Sequence, residues 1–176
     1  MVLCGMFAAL VAIGAFIQIP VPYMDYFTLQ FFFVLLAGLI LGADKGAISV
    51  GCYVLLGLVG VPIFAAGGGI GYIFRPSFGY LVGFIVSAYV TGKVCEKLKA
   101  SYKNYLLACL AGFVVTYAIG IVYKFIILNF YAHTPATIAV IFLSCFPLDM
   151  PGDFVLCLLA SGVGLKMRKN GFCLNE

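Results

Sequence analysis

Tryptophan is absent from this 176-residue chain, histidine occurs once, and only 9% of the residues are charged. Each shortage excludes something. With His133 as the one histidine and no Cys-x-x-Cys pair among the seven cysteines, a metal site is not expected. Those cysteines (Cys4, Cys52, Cys95, Cys109, Cys145, Cys157 and Cys173) lie mostly in apolar runs and read as small packing residues. The lone histidine has no evident serine or cysteine partner, and no G-x-S-x-G turn occurs, so no nucleophile–base–acid set is available. A GxxxxGK[ST] phosphate loop is missing as well. The glycines at 67, 68, 69 and 71 do not fit GxGxxG, because Tyr72 and Phe74 occupy the wrong places. The chain is therefore not expected to be an enzyme or to hydrolyse ATP. Any uphill movement of a solute must draw on a partner or an ion gradient.

What the chain has is apolar surface: 65% of its residues are hydrophobic, and the mean hydropathy is +1.19. No soluble domain has this composition. A membrane span takes about 20 apolar residues, so the length accommodates roughly six spans and no aqueous domain. The expected fold is all-α: a single polytopic membrane domain over residues 1–176. The spans are predicted near 2–19, 27–41, 47–61, 78–94, 105–128 and 151–166. The first apolar run has no charged n-region and no small-residue cleavage site, and reads as a retained helix. Residues 42–46 read as a tight turn, and residues 136–145 as a short apolar helix that is re-entrant or caps the bundle.

The net charge of +4 does not point to nucleic acid. With six spans, the loops on one side carry Lys45, Lys93, Lys97, Lys99 and Lys103, and the tail carries Lys166, Arg168 and Lys169. The other side holds only Arg75 and Lys124. The positive-inside rule then places both termini in the cytoplasm, in the cell membrane. The basic residues are topology signals and candidate contacts for anionic lipid head groups. Glu96 has Lys93 and Lys99 within helical pairing distance.

Residues 62–77 break the helical pattern with glycines and prolines between spans three and four. In lipid, irregular backbone survives only where it is buried in protein or lines a cavity, so this segment suggests a binding pocket. Its glycines, among them Gly68 and Gly69, let backbone approach a ligand closely. Arg75 suits a carboxylate or else anchors the loop at the interface. Tyr72 and Tyr80 suit stacking on a ligand or belong to an aromatic belt. Lys124 lies inside an apolar run, where a cation faces a cavity or snorkels. Asp153 follows Pro151 in the first turn predicted for span six; it either favours the helix N-terminus or accepts hydrogen bonds from ligand N–H groups. Asp149 is the weaker carboxylate candidate. Together these groups describe a small amphipathic ligand with an anionic end, an N–H-bearing end and an apolar body. On span one, Gly5, Ala8, Ala9 and Ala12 form small-xxx-small pairs, which serve the chain's own bundle or a docking partner. Gly79, Gly83, Ser87 and Thr91 form a second such face on span four.

Pro-Ile-Phe-Ala-Ala-Gly-Gly-Gly-Ile-Gly-Tyr from Pro62, and Pro-Ser-Phe-Gly-Tyr-Leu-Val-Gly-Phe from Pro76, resemble the signature of the BioY family, the biotin-specific substrate-binding (S) components of energy-coupling factor (ECF) transporters. Phe-Thr-Leu-Gln ending at Gln30, Gly38 to Gly42, Ser49-Val50, Leu55 to Gly57 and the stretch from Phe146 to Asp153 are similar to it in the same order. The resemblance covers essentially the whole chain. It implies six helices, biotin held near the extracellular side with Asp153 on its head group and Gln30 among the binding residues, a transmembrane coupling subunit and two ATPase subunits. The small residues of span one are similar to the alanine motif with which such components dock. The chain departs from the family at Leu156 and Leu81, where many members carry a lysine and some an arginine, and at Ala66, where many have glycine. Arg75 and Lys124 are the substitute partners for the biotin carboxylate. Capture of another vitamin, and a membrane-embedded enzyme or structural subunit, are the competing readings.

Overall fold

The structure, a computed structural model, describes residues 1–19, 27–132, 137–145 and 149–170. Helix α1 (Val2–Phe16) is followed by two short strands, β1 (Gln18–Ile19) and β2 (Phe27–Thr28), which pair antiparallel. Then come α2 (Gln30–Leu41), α3 (Ala43–Val59), a 3-10 turn (Ile70–Phe74), α4 (Phe78–Lys97) and α5 (Tyr102–Ile126). Helix α5 runs on into a π-helical turn (Ile127–Tyr131), and α6 (Ile138–Cys145) and α7 (Asp149–Lys169) complete the described chain. The architecture is all-helical apart from the four-residue ladder. Three helical stretches, Phe78–Lys97, Tyr102–Tyr131 and Asp149–Lys169, are long and apolar enough to cross a membrane; α1 and α2 are shorter apolar helices. Pro20, Pro22 and Asp25, which are expected to end the first span, and His133, Pro135, Phe146, Pro147 and Cys173 lie outside the described residues.

Helix α2 is the core of the bundle. Ten of its twelve residues are buried, so it shows no polar face. It packs against α1, α3, α4 and α7. The most extensive pairing joins α4 to α5, and the small residues noted on span four explain it. A side chain at Gly79 would strike the Tyr123 ring, one at Gly83 the Thr116 backbone, and one at Gly120 of α5 the Tyr80 ring. Close approach of two backbones is what such residues permit in a membrane.

Several boundaries differ from those expected. Helix α1 stops at Phe16 because Gln18 turns back on it: the Gln18 amide donates to Ala15 O at 2.9 Å and to Ala65 O at 2.7 Å, satisfying one of the orphan carbonyls of the helix end. The turn expected at residues 42–46 is a single residue, Gly42, with φ 84°. Helix α3 begins at once with Ala43, whose N–H donates to the Glu96 carboxylate of α4 at 2.9 Å. Glu96 also pairs with Lys93 at 3.5 Å. Helix α7 begins at Asp149, so Asp153 stands one turn further in than the first-turn place expected for it.

Glu96 of α4 holds the start of α3, and Arg168 near the end of α7 donates to the Tyr105 hydroxyl near the start of α5 at 3.2 Å. Lys45, Lys93, Lys97 and Lys166 belong to this end of the bundle. At the opposite end lie the ladder, residues 60–77, and the starts of α2, α4 and α7.

The four small residues of α1 do not share one surface. Ala8 is buried, 7% exposed, among Phe7, Val11 and Ala15, and Ala12 is half-buried. Gly5 and Ala9 are exposed, and nothing stands within 4 Å of where a Gly5 side chain would project.

Candidate functional site

The irregular segment is built on Gly57. Helix α3 ends at Gly60, in the left-handed region with φ 118°. Phe64 and Gly67 then exchange backbone hydrogen bonds of 2.8 and 3.1 Å, closing a tight turn with Ala65 and Ala66 at its apex. The Phe64 ring, 1% exposed, sits where a Gly57 side chain would be, and the Gly57 carbonyl accepts the Gly69 N–H at 2.7 Å. Tyr72, in the 3-10 turn, lays its ring on Phe64 with centroids 4.6 Å apart. The far end is tied to α5, where the Tyr123 hydroxyl donates to Ile73 O at 2.6 Å.

This turn forms one wall of a cavity at that end of the bundle. Phe27 and Thr28 of β2 and Gln30 and Phe31 of α2 form a second wall. Ser77 and, from α4, Tyr80, Leu81 and Phe84 form a third; Tyr117 and Lys124 of α5 and Asp149 and Asp153 of α7 complete it. The empty space between these side chains, counting the solvent at the mouth, is about 840 Å³, within the range of small-molecule sites. Gly152 lets the start of α7 come against the Phe27 ring, which a side chain there would strike.

Two polar arrangements face the space. The Tyr117 hydroxyl donates to Asp153 Oδ2 at 2.8 Å, and among the described residues Oδ1 has no partner. A carboxylate in this setting accepts from ligand N–H groups. Lys124, two helical turns from Tyr117 on α5 and so on the same face, is the basic residue of the lining and makes no ion pair among the described residues.

The cavity thus gathers Asp153, Tyr72, Lys124, Gln30 and Tyr80 of the candidate residues. Arg75, Gly68 and Gly69 stand outside its lining. The Arg75 side chain is exposed and lies over the Tyr72 ring, its guanidinium carbon 5.4 Å from the centroid. Gly68 packs against the Val61 carbonyl, and Gly69 carries φ 103°, so both shape the turn. Sequence reasoning missed Tyr117, although its spacing from Lys124 is the signal that finds it. Thr28 and Ser77 carried no signal of their own, since each stands beside a helix start outside any periodic pattern.

Residues 1–171 match the BioY family. The chain is 38% identical over 170 residues to the probable biotin transporter BioY of Lysinibacillus sphaericus, covering 96% of this chain and 86% of that protein. The chain belongs to the BioY family. It is also 45% identical over 130 residues to the biotin transporter BioY of Thermotoga maritima, covering 73% of each. The crystal structure at 2.1 Å of the S-component for biotin from an ECF-type ABC transporter shares the fold, with a TM-score of 0.83 over 96% of this chain and 89% of that one, at 24% identity. With its apolar helices, this BioY-family chain is a multi-pass membrane protein.

Proposed function

We propose that this chain is the biotin-binding component of an energy-coupling factor uptake system. The observation that carries the reading is an aromatic-lined cavity, in a chain of this family, with a hydrogen-bonded carboxylate and a separate lysine on its walls. Biotin has matching parts. Its ureido N–H groups suit Asp153 Oδ1, its carboxylate suits Lys124, and its fused ring and methylene chain suit Phe27, Phe31, Tyr72, Tyr80 and Phe84. Arg75, exposed beyond the lining, fits an interface anchor better than a ligand contact.

Six segments, α1 to α5 and α7, cross the cytoplasmic membrane in this reading. The basic end of the bundle is cytoplasmic with both termini, and the cavity opens outside. The chain itself binds and does no chemistry. Energy comes from two ATPase subunits through a coupling subunit that grips the exposed Gly5–Ala9 surface of α1, where small residues allow close helix approach.

Calorimetric titration of the purified chain in detergent tests the reading, with biotin as ligand and thiamine and riboflavin as controls. One-to-one binding of biotin alone supports it. Binding of another vitamin in place of biotin keeps the transporter class and rejects the ligand. Silence with all three rejects autonomous capture.

A further inference from the structure

Tyr53 does not line the cavity, yet a chain of hydrogen bonds passes through it. The Thr28 hydroxyl donates to Gln30 Oε1 at 3.3 Å. Gln30 Nε2 donates to the Tyr53 hydroxyl at 2.6 Å, and that hydroxyl donates to Ile63 O at 3.1 Å. Every donor points the same way, from β2 through the start of α2 and then α3 to the irregular segment. Tyr53 is 0% exposed, and its ring meets Phe64 edge-on with centroids 5.5 Å apart. Gln30, 4% exposed, is held at both ends of its amide. An unrestrained amide flips O for N at little cost. Here a flip would set Oε1 against the Tyr53 hydroxyl, whose proton is committed to Ile63 O, and Nε2 against the Thr28 hydroxyl.

We infer that Tyr53 is a positioning residue for ligand specificity, acting through Gln30. By accepting from Nε2 while donating to Ile63, it fixes which face of the Gln30 amide is donor and which is acceptor. It also holds that amide in register with the turn carrying Ala65 and Ala66. The amide keeps one N–H and one lone pair uncommitted among the described residues, so the wall it forms suits a ligand with a donor and an acceptor side by side. This inference rests on the biotin reading, and a ureido group has that pattern.

The test is calorimetry of the full chain with biotin, comparing the unaltered chain, Tyr53→Phe, Gln30→Leu and the double variant, with the melting temperature of each measured without ligand. Tyr53→Phe keeps the ring and its contact with Phe64. It is expected to weaken biotin about tenfold or more by freeing the amide. In the Gln30→Leu background the same change is expected to cost under about twofold, because the group it positions is gone. A purely structural tyrosine would lower the melting temperature and cost the same affinity in both backgrounds, and that additivity overturns the inference. So does an unchanged affinity in Tyr53→Phe. Tyr53→Phe leaves both Gln30 Nε2 and Ile63 O without the hydroxyl, whereas the double variant also removes Gln30 Nε2 and leaves only Ile63 O, which lessens the cost to stability. The comparison of Gln30→Leu with the double variant therefore stands even where Tyr53→Phe alone unfolds. Loss of biotin binding by the unaltered chain overturns the functional reading and this inference with it; the other outcomes bear on Tyr53 alone.

Discussion

The Tyr117 hydroxyl donates to Asp153 Oδ2 at 2.8 Å, joining the middle of α5 to the start of α7 across the cavity wall. The bond does two things. It lowers the cost of holding a carboxylate in an apolar setting, and it leaves Oδ1 without a partner among the described residues of the cavity wall. Asp153→Asn replaces a charged acceptor with a neutral amide and is expected to weaken biotin binding by about 1–3 kcal/mol. Tyr117→Phe leaves the carboxylate but frees it to rotate, at an expected cost of about 1 kcal/mol. Calorimetric titration reads both. An unchanged affinity in Asp153→Asn removes that residue from the site.

Lys124 and Arg75 separate by the same measurement. Lys124 lines the cavity, while Arg75 lies outside it over Tyr72. Lys124→Met is expected to cost about 10–100-fold in biotin affinity, the magnitude of a hydrogen bond to a charged group. Biotin methyl ester, which lacks the anionic end, should lose little from the same substitution. Arg75→Gln should leave the affinity for biotin within about twofold, as an exposed charge is screened by solvent. Equal losses for acid and ester in Lys124→Met would show that the lysine does not meet the carboxylate.

Gly57 links stability to the shape of the cavity wall. The Phe64 ring occupies the volume of its missing side chain, and its carbonyl receives the Gly69 N–H. Gly57→Ala must push the ring out of the notch, at an expected cost of about 1–3 kcal/mol, the usual range for overpacking. Thermal unfolding without ligand reads the loss. Because Tyr72 rests on Phe64, biotin affinity should fall in the same variant. A variant with the stability and affinity of the original chain would mean that the turn is not held by this contact.

The residues carried much of this architecture openly, and the exceptions have physical causes. Long apolar runs with polar punctuation placed α4, α5 and α7. Glycines and prolines marked residues 62–77 as irregular, and Gly67 and Gly69 carry positive φ angles there. The apolar run near 27–41 also placed α2, without any periodicity, because ten of its twelve residues are buried and it has no polar face to reveal. The one-residue turn at Gly42 depends on Glu96, 53 positions away, capping Ala43; a contact of that range leaves no local trace. Among the lining residues, Lys124 stood out because a charge in an apolar run is costly, and Asp153 as a carboxylate at a predicted helix start. Tyr53 did not, since a tyrosine in such a run is ordinary until its partner is known, and Tyr117 shows only through its seven-residue spacing from Lys124. Arg75 was drawn into the candidate set by its neighbours in sequence. Its side chain is exposed, lies over the Tyr72 ring and is not part of the cavity lining.

The exposed side of α1 separates partner docking from folding. Gly5 and Ala9 lie one turn apart on the outer face, whereas Ala8 is buried against the bundle. Gly5→Leu and Ala9→Leu should therefore leave biotin affinity within about twofold, because they touch no residue of the cavity and act on helix approach alone. Both should lower uptake of labelled biotin by cells carrying the complete transporter, by holding the coupling subunit away. Ala8→Leu is expected to act differently, lowering stability by about 1–3 kcal/mol because there is no room for the added volume. Its uptake defect should follow the loss of folded protein. Normal uptake in both outer variants, with the protein present in the membrane at its usual amount, would place the docking surface on another helix.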